Sequence, residues 1–144
     1  MSAAGLIYLV DDDASVRQAL ARLIRSAGMR AEVFETVPEL VSQASSKAPD
    51  CVIADIRMPE ISGLELPALL AKRGIRIPVI FVTAYDTDEN RVEARRVRAA
   101  GFFHKPVDGQ ALLDAIAWAV EANGNARVAE SQTDSDPVFK ENPK

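Results

Sequence analysis

The sequence predicts an α/β protein built on a doubly wound, open sheet of five parallel strands with five helices on its two faces. Three observations carry that expectation. Short apolar runs alternate with amphipathic stretches along most of the chain, the pattern of repeated strand–helix–strand units. Three of the runs, residues 6–10, 52–54 and 78–83, show no polar alternation, as in strands covered on both faces. Several runs also end on polar groups, and open α/β sheets gather their ligands at that carboxyl edge. The 144 residues, 48% of them hydrophobic, suffice for one well-buried domain and not for two of ordinary size.

Taken in order, the first strand, residues 6–10, runs directly into Asp11, Asp12 and Asp13. Val16, Ala19, Leu20, Leu23, Ile24 and Ala27 then recur at helical spacing, with Asp13 placed to cap the first turn and Gly28 to stop the helix. Residues 30–34 alternate as a half-exposed second strand. Thr36 with Glu39 makes a capping box and Pro38 suits a first turn, so a second helix continues through Ser46. The third strand, residues 52–54, ends on Asp55, after which Pro59 and Gly63 turn the chain. Leu64, Leu66, Leu69 and Leu70 mark a third helix closing at Gly74, with an irregular start around Pro67. Residues 78–83 form the fourth strand, ending on the Thr83 hydroxyl.

Residues 89–100 carry Arg91, Arg95, Arg96 and Arg98, with only Val92 and Val97 as larger apolar residues. A weakly packed, mobile fourth helix ended by Gly101 is expected. The fifth strand, residues 102–106, delivers Lys105 ahead of Pro106, with His104 as a surface residue. Asp108 caps a last helix in which Leu112, Leu113, Ile116, Ala117 and Val120 share a face, and Asn123 and Gly124 end it. Trp118 falls opposite that stripe, so it is expected to face solvent or a partner. Together with Arg95 it marks the expected partner surface. The folded domain is expected over residues 5–123, with residues 124–144 as a polar, flexible tail.

Composition narrows the function classes. A formal charge of -4 and a pI near 5.0 argue against direct nucleic-acid binding. The single cysteine, Cys51, opens an apolar strand and reads as a small core residue. No apolar run approaches the roughly 20 residues of a membrane-spanning helix, and residues 1–5 do not resemble a leader peptide. A cytoplasmic protein without membrane contact is expected.

The strand ends carry the chemistry. Asp11, Asp12 and Asp55 brought together would repel one another and call for a proton or a cation. Mg²⁺, a hard ion with oxygen ligands, suits such a site. Lys105 and Thr83 add a positive charge and a hydroxyl. With the metal they can bind the oxygens of a transferring phosphoryl group while Asp55 attacks.

These residues resemble the receiver domain of bacterial two-component response regulators. The resemblance covers about residues 5 to 122 and rests on Val10-Asp-Asp12, Asp55-Ile-Arg-Met-Pro59, Ser62-Gly63, Thr83-Ala84 and Lys105-Pro106. It implies a flavodoxin-like sheet of strand order 2-1-3-4-5. It also implies that Asp55 accepts a phosphoryl group from a phosphohistidine on a sensor histidine kinase. Asp12 would bind Mg²⁺ directly, Asp11 partly through water, and the backbone carbonyl of Arg57 would be a further ligand. Thr83 and Lys105 would contact the phosphoryl oxygens, and Phe102 would move with Thr83 as the domain switches. Arg57 and Tyr85 match positions that tune the lifetime of the phosphoryl group. The wording around Asp55 is most similar to receivers of nitrogen-fixation and LuxR-type transcription regulators. Those continue into a helix-turn-helix domain, whereas residues 125–144 are too few and too polar to form one. The expectation is a single-domain regulator or a receiver from a longer one. Its output would run through a downstream protein partner, an attached effector domain or a phosphorylation-linked homodimer.

Two other classes compete. A haloacid-dehalogenase-like phosphatase would use Asp11 as nucleophile and Asp13 as acid, but it leaves Asp55 without a role and no substrate cap is evident. A binding module independent of phosphorylation would not need the five site residues together. Dinucleotide binding is set aside, because acids rather than a glycine-rich loop follow the first strand.

Overall fold

The structure, a computed structural model, describes residues 5–128 and 140–141. β1 (Leu6–Val10), β2 (Arg30–Phe34), β3 (Cys51–Ala54), β4 (Val79–Thr83) and β5 (Gly101–His104) form a parallel sheet in the order β2-β1-β3-β4-β5. The helices are α1 (Ala14–Ser26), α2 (Val37–Ser46), α3 (Leu66–Lys72), α4 (Asp88–Arg96) and α5 (Gly109–Val128). Strand order and helix count are those the sequence predicts.

Alternation along each strand sorts the core into two layers. Tyr8, Val10, Val52, Ala54, Phe81 and Phe102 face α2, α3 and α4, meeting Leu40, Val41, Leu66, Leu70 and Ala94. Ile7, Leu9, Ile53, Ile80, Val82 and Phe103 face α1 and α5, meeting Leu20, Ile24, Leu112, Ala115 and Ile116. Cys51 lies in that second layer, where burial pushes its thiol up to about 12. It is a core residue, as expected.

The capping signals act locally as read. The Asp13 carboxylate accepts from the amides of Ser15 and Val16 at 2.9 and 3.3 Å, and Thr36 Oγ accepts from the Glu39 amide at 3.3 Å. The reciprocal arm reaches one residue further than a capping box, since the Glu39 carboxylate accepts from the Glu35 amide at 3.2 Å. The irregular start before Pro67 is a 3₁₀ turn, Gly63–Glu65.

Four expectations need correction. α4 ends at Arg96, not at Gly101, because Arg98 itself takes the left-handed conformation (φ 61°) and the Ala100 amide already donates to the Val79 carbonyl at 2.8 Å. Gly101 is therefore the first residue of β5. The residue anchoring α4 is Ala94, fully buried, with Val97 beside it, while Val92 is 60% exposed. α5 passes through Asn123 and Gly124 to Val128; an interior glycine costs only about 1 kcal/mol. Its inward face is Leu112, Ala115, Ile116 and Ala119, so Ala117 is exposed and Trp118 lies half-buried against the α1/α5 layer rather than facing solvent. The two small alanines let α5 approach the sheet along a line displaced from the leucine stripe. Finally, the expected tail contributes β6 (Lys140–Glu141), parallel to β5 with Gly101 opposite Lys140 and Phe102 opposite Glu141. An edge strand offers unpaired amides and carbonyls to whatever chain is near.

Candidate functional site

The parallel sheet delivers β1, β3, β4 and β5 to one edge, and the residues just beyond or at their ends are Asp11, Asp55, Thr83 and Lys105. Lys105 sits between two carboxylates, with Nζ 2.8 Å from Asp11 Oδ2 and 3.0 Å from Asp55 Oδ2. Asp11 and Asp55 are 2% and 6% exposed. Asp12, exposed at the rim, completes the cluster: one carboxylate oxygen from each of Asp11, Asp12 and Asp55 lies within 4.8 Å of the others. Three carboxylates against one ammonium leave an excess of negative charge on hard oxygen donors. That donor set fits a divalent ion of the Mg²⁺ type.

Titration follows from the same geometry. Burial raises the Asp11 carboxyl above its ordinary value, and the hydrogen bond from Lys105 offsets this only in part. For Lys105 burial pulls downward, but the hydrogen bonds to Asp11 and Asp55 outweigh it and the ammonium is held above its usual range. The two directions differ because Asp11 is the more deeply buried group of the pair.

The loops around the cluster are fixed by backbone contacts. The Asp55 amide donates to the Val10 carbonyl at 3.1 Å, and the Arg57 amide points to Asp55 Oδ1 at 3.4 Å, which sets the Arg57 backbone at the rim. Ser62 Oγ donates to the Ile56 carbonyl at 3.1 Å and accepts from the Leu64 amide at 3.0 Å. Gly63 is required by proximity: a Cβ there would stand 1.9 Å from the Asp55 carbonyl oxygen. Thr83 is fully buried, its Oγ accepting from the Tyr85 amide at 3.1 Å and its carbonyl accepting from the Lys105 amide at 2.9 Å. The Arg57 guanidinium covers the Tyr85 ring at 4.3 Å. Phe102 is fully buried in register with Phe81, two residues before His104, which is exposed as expected.

The structure thus brings together Asp11, Asp12, Asp55, Lys105 and the Arg57 backbone, with Thr83 beside them. Trp118 and Arg95 lie apart, on α5 and α4. Beside the cluster an apolar hollow of about 500 Å³ opens between Val16, Ala19, Leu20 and Leu23 of α1 and Lys105, Pro106 and Val107. The sequence reading missed this hollow. It also missed a fork between Asp86 and Arg91, because their spacing of five residues across a helix start matches no helical pair rule.

A doubly wound α/β domain with a lysine-bridged acidic cluster at its carboxyl edge is a defined class of protein. The chain matches the response regulator receiver domain over residues 7–117, and it belongs to that family, which serves two-component systems. It is 36% identical over 136 residues to the response regulator protein TmoT of Ectopseudomonas mendocina, covering 94% of this chain and 59% of that one. It is 33% identical over 129 residues to nodulation protein W of Bradyrhizobium diazoefficiens, covering 90% and 57%. The structure of the response regulator StyR superposes with a TM-score of 0.80 at 36% identity, covering 90% of this chain and 65% of that one. The chain spans little more than half the length of TmoT and nodulation protein W. A receiver is in general a switch rather than a turnover enzyme. Among the described residues no helix is long and apolar enough to cross a membrane.

Proposed function

We propose that this chain is the phosphoacceptor of a two-component system. Asp55 takes the phosphoryl group of a phosphohistidine on a sensor histidine kinase and thereby alters binding at the α4–β5–α5 face. The observation that carries the reading is the Lys105 ammonium, 2.8 and 3.0 Å from Asp11 and Asp55, with Asp12 completing the acidic cluster. In the transfer an Asp55 oxygen forms a bond to phosphorus as the P–N bond breaks, and its electron pair returns to the imidazole. Lys105 stays near the carboxylate and meets the charge on the phosphoryl oxygens, and Thr83 supplies a hydroxyl donor. Mg²⁺, when held by Asp11, Asp12, Asp55 and the Arg57 carbonyl, would neutralise those oxygens. The apolar hollow along α1 gives a protein donor a foothold beside Lys105. The output is an attached effector domain, a downstream protein partner or a homodimer formed on phosphorylation, with Arg95 on the contact face. Trp118, half-buried, contributes there only through its exposed edge.

The phosphatase alternative finds no support at Asp13. Its carboxylate is taken up by Ser15 Oγ at 2.8 Å and by two amides of α1, contacts that hold its pKa below the ordinary value. A general acid must carry a proton near neutral pH.

Intact mass after incubation with Mg²⁺ and acetyl phosphate tests the reading. Wild type gains one phosphoryl group, Asp55→Asn gains none, and chelation of Mg²⁺ abolishes the gain. A gain that survives in Asp55→Asn would place the acceptor elsewhere.

A further inference from the structure

The loop between β4 and α4 is tied into the site at one end and into a second cluster at the other. At the site end, Tyr85 donates its amide to Thr83 Oγ at 3.1 Å. At the helix end, Thr87 caps α4 by accepting from the Asn90 amide at 3.0 Å, and Asn90 Nδ2 donates to the Tyr85 carbonyl at 2.8 Å. Between them stands Asp86, whose two carboxylate oxygens accept from Arg91 Nε and Nη2 at 2.5 and 2.9 Å. A two-point contact of this kind fixes the plane of the guanidinium as well as its position. Both side chains are about three-quarters shielded, at 26% and 22% exposure, so the pair is screened less than a surface one. The plane so fixed carries the Arg91 guanidinium to 5.0 Å from the centre of the Phe102 ring, within the reach of a cation–π contact. Phe102 is fully buried beneath it. Four residues therefore run in sequence from the site to β5: Thr83, the loop with Asp86, Arg91 and the Phe102 ring.

We propose that Arg91, oriented by Asp86, is a positioning residue that pins the Phe102 ring in the core and holds the β4–α4 loop in its resting place, so that this brace opposes the phosphoryl-bound state. The proposal rests on the reading of Asp55 as phosphoacceptor. Any shift of Thr83 and Tyr85 toward a phosphoryl group carries Asp86 with it and breaks or strains the fork. A ligand that favours the shifted state then works against the brace.

The test uses the full chain as wild type, Arg91→Met, Arg91→Lys and Asp86→Asn. Met keeps the length of the side chain without its charge, and Lys keeps the charge without the fork. With ¹³C-labelled phenylalanine rings, NMR of the unmodified chain is expected to show one Phe102 environment in wild type. Arg91→Met and Asp86→Asn should each show a second population or exchange broadening, with Lys in between. Beryllofluoride, a phosphoryl mimic, is then titrated at fixed Mg²⁺. The two brace-breaking variants should bind it about three- to tenfold more tightly than wild type. An unchanged Phe102 ring in both variants, or equal or weaker beryllofluoride binding, overturns the proposal. If wild type fails to bind beryllofluoride at all, the phosphoacceptor reading falls, and the ring signals of the unmodified chain still decide whether Arg91 pins Phe102.

Discussion

Asp11 shows how one residue serves the site at a cost to the fold. Its carboxyl is raised by burial, so its contribution to stability is full below about pH 4 and is lost as pH rises through the raised value. At neutral pH the charged form is held against a preference for the proton. Asp11→Asn is therefore expected to stabilise the metal-free chain at pH 7 by about 0.5–2 kcal/mol, the usual yield of relieving such a conflict. The same variant should lose most of the stabilisation that millimolar Mg²⁺ gives wild type by binding the folded state. Urea unfolding with and without Mg²⁺ checks both, and a destabilised Asp11→Asn would show that Lys105 needs this partner more than burial penalises it. Lys105 has the opposite sign: its raised pKa supports the fold below about pH 10.5 and withdraws that support only in alkali. The identities of these residues were legible in the sequence, because each ends a strand that alternation or its absence makes recognisable. Their separations were not, since they follow from β1–β3–β4–β5 adjacency and not from chain spacing.

Among the elements, the turn after β3 is the least forgiving. A Cβ on Gly63 would meet the Asp55 carbonyl at 1.9 Å, and the atom in the way is backbone, so the whole turn must shift. Gly63→Ala is expected to cost about 3 kcal/mol or more, the upper range for overpacking, and to weaken Mg²⁺ binding by displacing Asp55. A urea midpoint near that of wild type would mean that the turn moves freely. Element boundaries were readable where a side chain caps, as at Asp13 and Thr36, and less so where tertiary pairing decides. Gly101 looks like a helix stop, yet the adjacent Ala100 amide is claimed by Val79, and the helix is ended earlier by Arg98. Asn123 and Gly124 look like a stop as well, but a helix tolerates them. Trp118 was misplaced because Ala115 and Ala119, which give little hydrophobic signal, are the residues against which α5 seats.

At the scale of the molecule, the architecture was legible almost entire, because the uninterrupted apolar strands and the polar strand ends agree with each other. β6 was not, since Lys140 and Glu141 carry no strand propensity and pair only because the β5 edge is open. The sheet divides the interior into two layers that share no side chains. Leu40→Ala in one layer and Ile24→Val in the other should therefore destabilise additively, within about 0.5 kcal/mol. Leu40→Ala with Leu70→Ala, in the same layer, should depart from additivity by at least that much. Urea unfolding of the single and double variants measures both pairs, and coupling across the sheet as strong as within a layer would contradict the division. The same partition works as an insulator between two kinds of drift. The hollow along α1 lies against one layer, while the fork of Asp86 and Arg91 lies over the other. A lineage can therefore exchange the protein it listens to by altering α1, and retune how readily it answers by altering α4, without one change being felt in the packing of the other.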